Sequence, residues 1–293
     1  MGIFRRRAEE APNPAAPSPR PPATSRGARA EAPYDAIAEA FDRGDAANTL
    51  QVARDLVASL AVRAGEHVLD VGTGTGVVPQ AVADAAPEAI VVGADASVGM
   101  LSVGLARGRL ARPVAAMALD LPFRDQTFDV ETANFVISHF RRLDTALFDM
   151  RRVLRVGGRL GVTSWVPSPD EFDRAWVEVA ERYAGREILQ DARGQIAPAE
   201  ERVGDPTALR DILYAAGFRK IDVQKRGYRF EWEREAFLAN RNEIRGARYM
   251  RRLLGDALWE RFQQDVAEVY RERFPETFGD SVEVLIATAV RED

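Results

Sequence analysis

The chain has 293 residues, 46% hydrophobic and 29% charged, with a formal net charge of −5. That length suits one large α/β domain or a core domain with a cap, and the acidic balance argues against a broad basic footprint for duplex nucleic acid. With no cysteine, and with His67 and His139 as the two histidines, the chain excludes a disulfide, a thiolate zinc site, a cysteine nucleophile and a multi-histidine metal centre.

Residues 1–33 form a Pro/Ala/Arg-rich tail. It has too few large apolar residues to offset its ordering entropy and is expected to be disordered. The arginine triplet Arg5–Arg7 is not followed by the apolar stretch of an export signal. No run of about 18 apolar residues is present for a membrane span. The expectation is therefore a cytoplasmic protein without membrane contact. The preference for arginine over lysine suggests a GC-rich, bacterial source.

From Tyr34 the pattern turns helical. Tyr34, Ile37, Ala38 and Phe41 fall at i, i+3, i+4 and i+7, and Gly44 can close that helix. A second helix is predicted from about Thr49 to Val62. Strands then alternate with helices: strand His67–Val71, helix Val77–Ala85, strand Ala89–Ala94, helix Val98–Ala106 and a short strand Val114–Met117. Strand Phe128–Ile137, helix Thr145–Leu154 and strand Arg159–Trp165 follow. Strands apolar on both faces imply a parallel sheet covered on both sides. After Trp165 the rhythm changes. A helix is predicted over 170–185, a loop over 186–205 and a helix over Thr207–Ala216 closed by Gly217. A strand runs from Lys220 to about Val223, with an extension to Phe230 open. A long helical stretch covers about 233–272, and Ser281–Val290 is the final strand.

The segment Val68-Leu69-Asp70-Val71-Gly72-Thr73-Gly74-Thr75-Gly76 stands where the first strand turns into the first helix of the alternation. Glycines permit a sharp turn and let a ligand approach the backbone closely. The helix that follows offers free N–H groups to a carboxylate or phosphate. Nicotinamide-dependent oxidoreductases also use a glycine turn, usually spaced G-x-G-x-x-G; here the third glycine comes one residue early, and an acid precedes the turn.

This segment resembles the first motif of class I S-adenosylmethionine-dependent methyltransferases. Val91-Val92-Gly93-Ala94-Asp95-Ala96-Ser97 is similar to the second motif, at the expected distance. Leu121-Pro122-Phe123-Arg124-Asp125-Gln126-Thr127-Phe128-Asp129-Val130 and Arg152-Val153-Leu154-Arg155-Val156-Gly157-Gly158-Arg159-Leu160 are similar to the third and fourth. The last two resemble the menaquinone/ubiquinone-type branch (methyltransferase type 11) and its natural-product relatives. The resemblance implies a doubly wound, mostly parallel seven-stranded sheet with a helical cap. It divides the chain into the tail 1–33, a core of residues 34–165 with N-terminal lid helices, and a substrate cap of residues 166–293 that also supplies the last strands. It implies S-adenosyl-L-methionine as cofactor and methyl transfer to a small molecule, at carbon or oxygen, of secondary-metabolite or quinone-like type. Two other readings stay open, a nicotinamide-dependent oxidoreductase and a non-methylating cyclase or regulator that keeps the cofactor.

Carried over position by position, the resemblance puts Asp70, Gly72, Thr73 and Gly74 at the methionine end of the cofactor, Asp95 with Ala96 at the ribose, and Met100 near the adenine. Asn134 joins the cofactor set. Relatives read Gly-Asp-Ala before Leu-Pro-Phe, with the aspartate on the adenine amino group. Here Met117 and Ala118 stand instead, so Met117 is expected to pack on the ring and the Ala118 N–H to bond it, with Asp120 as a shifted substitute. Leu121 and Phe123 read as packing residues. Glu131 replaces an apolar residue of the fourth strand. It is read as lying near an exposed strand start or pairing with an arginine, since a buried unpaired carboxylate is costly, with a functional role as the alternative.

On the acceptor side, His139 follows the fourth strand at the edge where open α/β sheets bind ligands. It reads either as acceptor contact or general base, or as a structural residue, whereas His67 lies at the opposite edge. Tyr34 and Phe41 belong either to a lid or to ordinary packing. Trp165, Trp176, Tyr183, Trp232, Phe237, Tyr249 and Trp259 lie in or just before the cap and suit a flat acceptor or a core. Arg241, Arg245, Arg248 and Arg252 are spaced for one helix face, either solvated or holding an anion. The substrate set is Tyr34, Phe41, Trp165, Arg241 and Arg245. The expected partner is a small molecule, with no nucleic acid and no metal; a homodimer stays open.

Overall fold

The computed structural model describes residues 34–167, 170–243 and 247–293. The expected disordered tail and Arg245 lie outside the described residues. Seven strands form one sheet: β1 (His67–Val71), β2 (Ile90–Asp95), β3 (Pro113–Ala115), β4 (Phe128–Ala133), β5 (Leu154–Trp165), β6 (Arg219–Glu233) and β7 (Thr277–Val290). Their order is β3-β2-β1-β4-β5-β7-β6. The first five strands pair in parallel, and β7 enters antiparallel between β5 and β6. The chain reverses its direction of strand addition at β1, so a crevice opens beyond the carboxyl ends of β1 and β4.

Helices cover both faces, because β-strand residues point alternately to opposite sides. On β1, Val68 joins one apolar cluster and Leu69 the other. The first cluster packs α2 (Ala46–Leu60), through Val52, Leu56 and Leu60, and α3 (Val77–Ala85) against the sheet. The second packs α5 (Leu143–Val153), through Leu147 and Met150, and α9 (Pro206–Ala215). Truncating one such leucine to alanine costs about 2–5 kcal/mol. A third, small cluster joins α1 (Ala38–Gly44), which follows a 3-10 turn over Asp35–Ile37, to α4 (Val98–Ala106).

The cap comprises α6 (Glu171–Ala184), α7 (Arg186–Ile196), α8 (Glu200–Val203), α10 (Arg234–Glu243) and α11 (Ala247–Arg273), the last broken at Gly255. β7 pairs with β5 only as far as Trp165↔Val284, whereas its ladder with β6 continues to Glu233↔Thr277. The β6–β7 ribbon therefore overhangs the sheet. Around the overhang Phe172 stacks on Phe278 at 4.0 Å, and Trp232 and Phe237 meet edge to face at 5.4 Å. Trp176, Trp232, Phe237 and Trp259 are buried in this packing, so the cap aromatics are mostly core. Both lysines of the chain lie on the edge strand β6, where Lys220 pairs with Glu292 and Lys225 with Glu283. No described helix is long and apolar enough to cross a membrane.

Three expectations need correction. The segment 186–205 is not a loop but carries α7 and α8. Leu189 and Ala192, and then Ala199 and Val203, fall at i, i+3 or i, i+4; Ala192 is buried, Leu189 packs on the first cluster and Ala199 and Val203 join the second, so burial decides over weak local pattern. β4 stops at Ala133 rather than Ile137. Phe135 takes a left-handed φ of 56° and gives its N–H to Thr163 Oγ1 (2.9 Å), and a 3-10 turn follows over Ile137–His139. Glu131 is neither near solvent nor paired: it is 0% exposed, and neither carboxyl oxygen has a hydrogen-bond partner among the described residues. Burial pushes its carboxyl well above the usual range, and Asp149 pushes it further. The alternation of β4 aims it into the α5 side of the core, where its register partners are Leu69 and Leu160.

Candidate cofactor cleft and acceptor edge

The glycine turn is built for close approach. Gly72 donates to Ala94 O (2.7 Å), and a methyl group there would stand 2.4 Å from Val136. Gly74 has φ 53°, and a Cβ placed on it meets nothing within 4 Å. One glycine thus lets the protein fold back on itself, and the other leaves bare backbone facing open space.

Two carboxylates flank the turn. Asp70, 1% exposed, accepts from Thr132 Oγ1 (2.7 Å) through Oδ1, while its Oδ2 has no partner among the described residues. Burial pushes this carboxyl up to about 7, against the pull of the Thr132 bond and of the neighbouring Thr73 hydroxyl. Asp95, at the end of β2, accepts from Gly74 N and from Ser97 N, each at 2.8 Å. Burial raises it as well, opposed by those two N–H groups. Asp95 therefore ties the glycine turn to the start of α4. Each carboxylate oxygen keeps capacity for a further donor.

The N-terminal segment roofs this cleft. Asp35 accepts from Ser97 Oγ (2.6 Å) and from Gly99 N (2.8 Å), and Ser97 itself caps α4 through Met100 N (3.1 Å). Asp42 pairs with Arg107 (3.1 Å) and with Arg109. The Tyr34 ring meets Phe41 edge to face at 6.3 Å and His139 at 5.7 Å, with Tyr34 Oη 3.5 Å from His139 Nε2. Met100 and Val103 are buried under Tyr34 and Phe41. Thus β4's end and the N-terminal segment meet across the crevice. Beside them Asn134 Oδ1 accepts from Thr163 Oγ1 (2.7 Å), and Phe135 stacks on Trp165 at 4.0 Å.

An orphaned, buried carboxylate oxygen at the base of an open glycine turn fits the ammonium of an amino acid, and an acid at the second strand end fits a pair of sugar hydroxyls. Residues 69–162 match the family described as "Methyltransferase domain". The demethylmenaquinone methyltransferase of Thermobifida fusca is 37% identical over 205 residues, which cover 64% of this chain and 85% of the relative. The chain belongs to the S-adenosylmethionine-dependent methyltransferases. The demethylmenaquinone methyltransferase of Thermus thermophilus is 34% identical over 166 residues, 53% of this chain and 76% of that one. The fold is shared with phosphoethanolamine N-methyltransferase 2 of Haemonchus contortus in complex with S-adenosyl-L-methionine. That likeness has a TM-score of 0.54 at 16% identity and covers 88% of this chain and 57% of the other. The methyltransferase uses S-adenosylmethionine as its cofactor, and its fold is the expected doubly wound sheet of seven strands.

The structure brings Asp70, Gly72, Thr73, Gly74, Asp95 and Ala96 to one side of the crevice and Tyr34, Phe41, Asn134, His139 and Trp165 to its rim. Met117 is 60% exposed, Ala118 half-buried and Asp120 exposed, all on the loop after β3. The arginines of the cap do not form one open face. Arg241, on α10, is buried, pairs with Asp173 (2.7 Å) and lies over the Phe237 ring at 4.7 Å; Arg248 and Arg252 lie on α11. Near Arg241, Asp280 is buried and pushed up to about 7 by burial and by the neighbouring Asp170. Sequence reasoning missed Asp35 and Asp42. Both lie in the helical stretch that starts at Tyr34, and the only hint was an acid facing the start of α4, where free N–H groups collect.

Proposed function

We propose that the methyltransferase acts on a small, flat, quinone-like or secondary-metabolite acceptor whose reacting carbon or oxygen lies beside the Tyr34–His139 contact. The observation that carries this reading is the contact of Tyr34 with His139 across the crevice, beside the Phe135–Trp165 stack. The names of the two bacterial relatives, which are demethylmenaquinone methyltransferases, support an aromatic acceptor. In this reading Asp70 Oδ2 takes the cofactor's ammonium, the bare backbone at Gly72–Gly74 receives its amino-acid portion, and Asp95 takes the ribose hydroxyls. Ala96, Met100, Met117 and Ala118 surround the adenine, and Asn134 closes the β4 side. Bound S-adenosylmethionine supplies an activated methyl group on a sulfonium. The chain's own contribution is placement and exclusion of water. Tyr34 and Phe41 cover the cleft, Trp165 and Phe135 give the acceptor an aromatic wall, and His139 accepts the proton an acidic acceptor must release.

The division of the chain follows from the same reading: residues 34–165 hold the cofactor, and residues 166–293 shape the acceptor space. Calorimetry with S-adenosylhomocysteine and product mass spectrometry with a panel of hydroxylated aromatic acceptors test it. A methylated aromatic product is expected. Cofactor binding with methylation confined to non-aromatic acceptors would sink the acceptor assignment.

A further inference from the structure

One residue past His139 the surface holds an open cavity of about 290 Å³, lined by Phe140, Arg141, Arg142, Asp144 and Thr145 on one side and by Arg202 of α8 on the other. At roughly 30 Å³ per water molecule, it has room for an acid group and its linker. Among the described residues none of the three guanidinium groups is in an ion pair; Arg141 donates to Gln195 O at 3.4 Å. The other arginines around α5 differ. Arg151 pairs with Asp293, Arg152 with Asp149 and Asp125, and Arg155 with Asp129. Three cations and the single acid Asp144 leave the cavity with a surplus of two positive charges, in a chain whose net charge is −5. The walls are fixed to each other, since Ala199 N at the start of α8 donates to Ser138 O (3.1 Å) on the turn that carries His139. Arg142 also precedes α5 without a side-chain cap, so first-turn N–H groups add donors at the same end.

We propose that this cavity receives an anionic group of the acceptor, a carboxylate or a phosphate monoester, while the reacting atom stays at His139. Arginine forks bind both groups through paired N–H···O bonds, and a concave cationic surface concentrates such anions. The inference rests on the placement of the acceptor given above and adds its chemical class: an acid substituent lies on the side of the acceptor that extends past Phe140.

The full-length protein and its Arg142→Gln/Arg202→Gln double variant, both changed at exposed positions, are titrated with inorganic phosphate and separately with malonate. Ionic strength is held constant, and the backbone amide shifts of residues 143–146 are followed by NMR. Saturable binding is expected in the parent protein, with the apparent Kd raised at least tenfold in the variant and S-adenosylhomocysteine affinity unchanged within twofold. Tighter phosphate binding assigns the phosphate monoester, and tighter malonate binding the carboxylate. Equal anion binding by parent and variant, or no saturable binding of either anion by the parent, overturns the proposal. The titration needs neither acceptor nor turnover. It therefore fails separately from the placement of the acceptor at His139, which stands or falls on the turnover of the His139→Ala variant.

Discussion

The two halves of the molecule are assembled by different means. From Tyr34 to Trp165 the features that shape the cleft are backbone features: a glycine turn, N–H groups taken by Asp95, and a helix start held by Ser97 and Asp35. From Val166 onward the structure is held by side-chain volume, with Phe172, Phe237, Trp232 and Phe278 packed around an overhanging ribbon and Arg241 paired with Asp173 among them. Backbone geometry tolerates few sequences at each point, whereas aromatic packing accepts many combinations of similar volume. The first half is thus constrained residue by residue and the second mainly by size.

Substitutions can break or sharpen that contrast. The largest effect is expected at the seam between the halves. His139→Ala should lower kcat by about 10²–10⁴-fold if the imidazole takes a proton, with cofactor affinity unchanged; calorimetry beside steady-state kinetics reads both, and an unchanged kcat removes His139 from the chemistry. Next, Phe237→Ala in the cap should destabilise the fold by about 3–5 kcal/mol and leave S-adenosylhomocysteine affinity within twofold. A large loss of affinity would show the two halves to be coupled. Asp95→Ala should do the reverse, with cofactor binding weakened by about 1–3 kcal/mol as charge-assisted bonds are lost, and Asp95→Asn should fall between. Parent-like affinity in both would mean that the ribose is held elsewhere.

The last effect concerns Asp70 and its pH dependence. In the fold its carboxyl titrates at about 7, above the unfolded value near 3.9. Between those values the folded chain binds more protons than the unfolded one, so this group makes stability fall as pH rises from about 4 to about 7 and adds no slope beyond. Asp70→Asn removes the titration. The Tm advantage of the variant should therefore grow from pH 5 to pH 7 and then level off, as differential scanning fluorimetry can follow. A constant difference would mean that Asp70 is ionised throughout.

The same contrast explains what the sequence reveals. Helices Val77–Ala85 and Val98–Ala106 are readable to the residue, because turn glycines and the Ser97 cap mark their starts. The turn of Gly72 and Gly74 is readable because its backbone geometry demands glycine, and Asp95 accepts the Gly74 N–H. The helices over 186–203 are not, since Leu189, Ala192, Ala199 and Val203 point inward and their burial depends on elements far away in sequence. Asp35 escapes for a related reason: its partners, Ser97 and Gly99, lie more than sixty residues away. Glu131 misleads because a lone acid in an apolar strand ordinarily signals solvent or a paired cation, and here Arg152 and Arg291 act on it only from a distance, without a hydrogen bond.

The placement of Lys220 and Lys225 on the outermost strand has a practical consequence. Amine-directed reagents find every side-chain target of this protein along one border of the sheet, the border farthest in strand order from β1, β2 and β3. Anchoring the enzyme to a support through those amines would turn the glycine turn and its neighbours away from the surface, giving an immobilised catalyst with a uniform presentation.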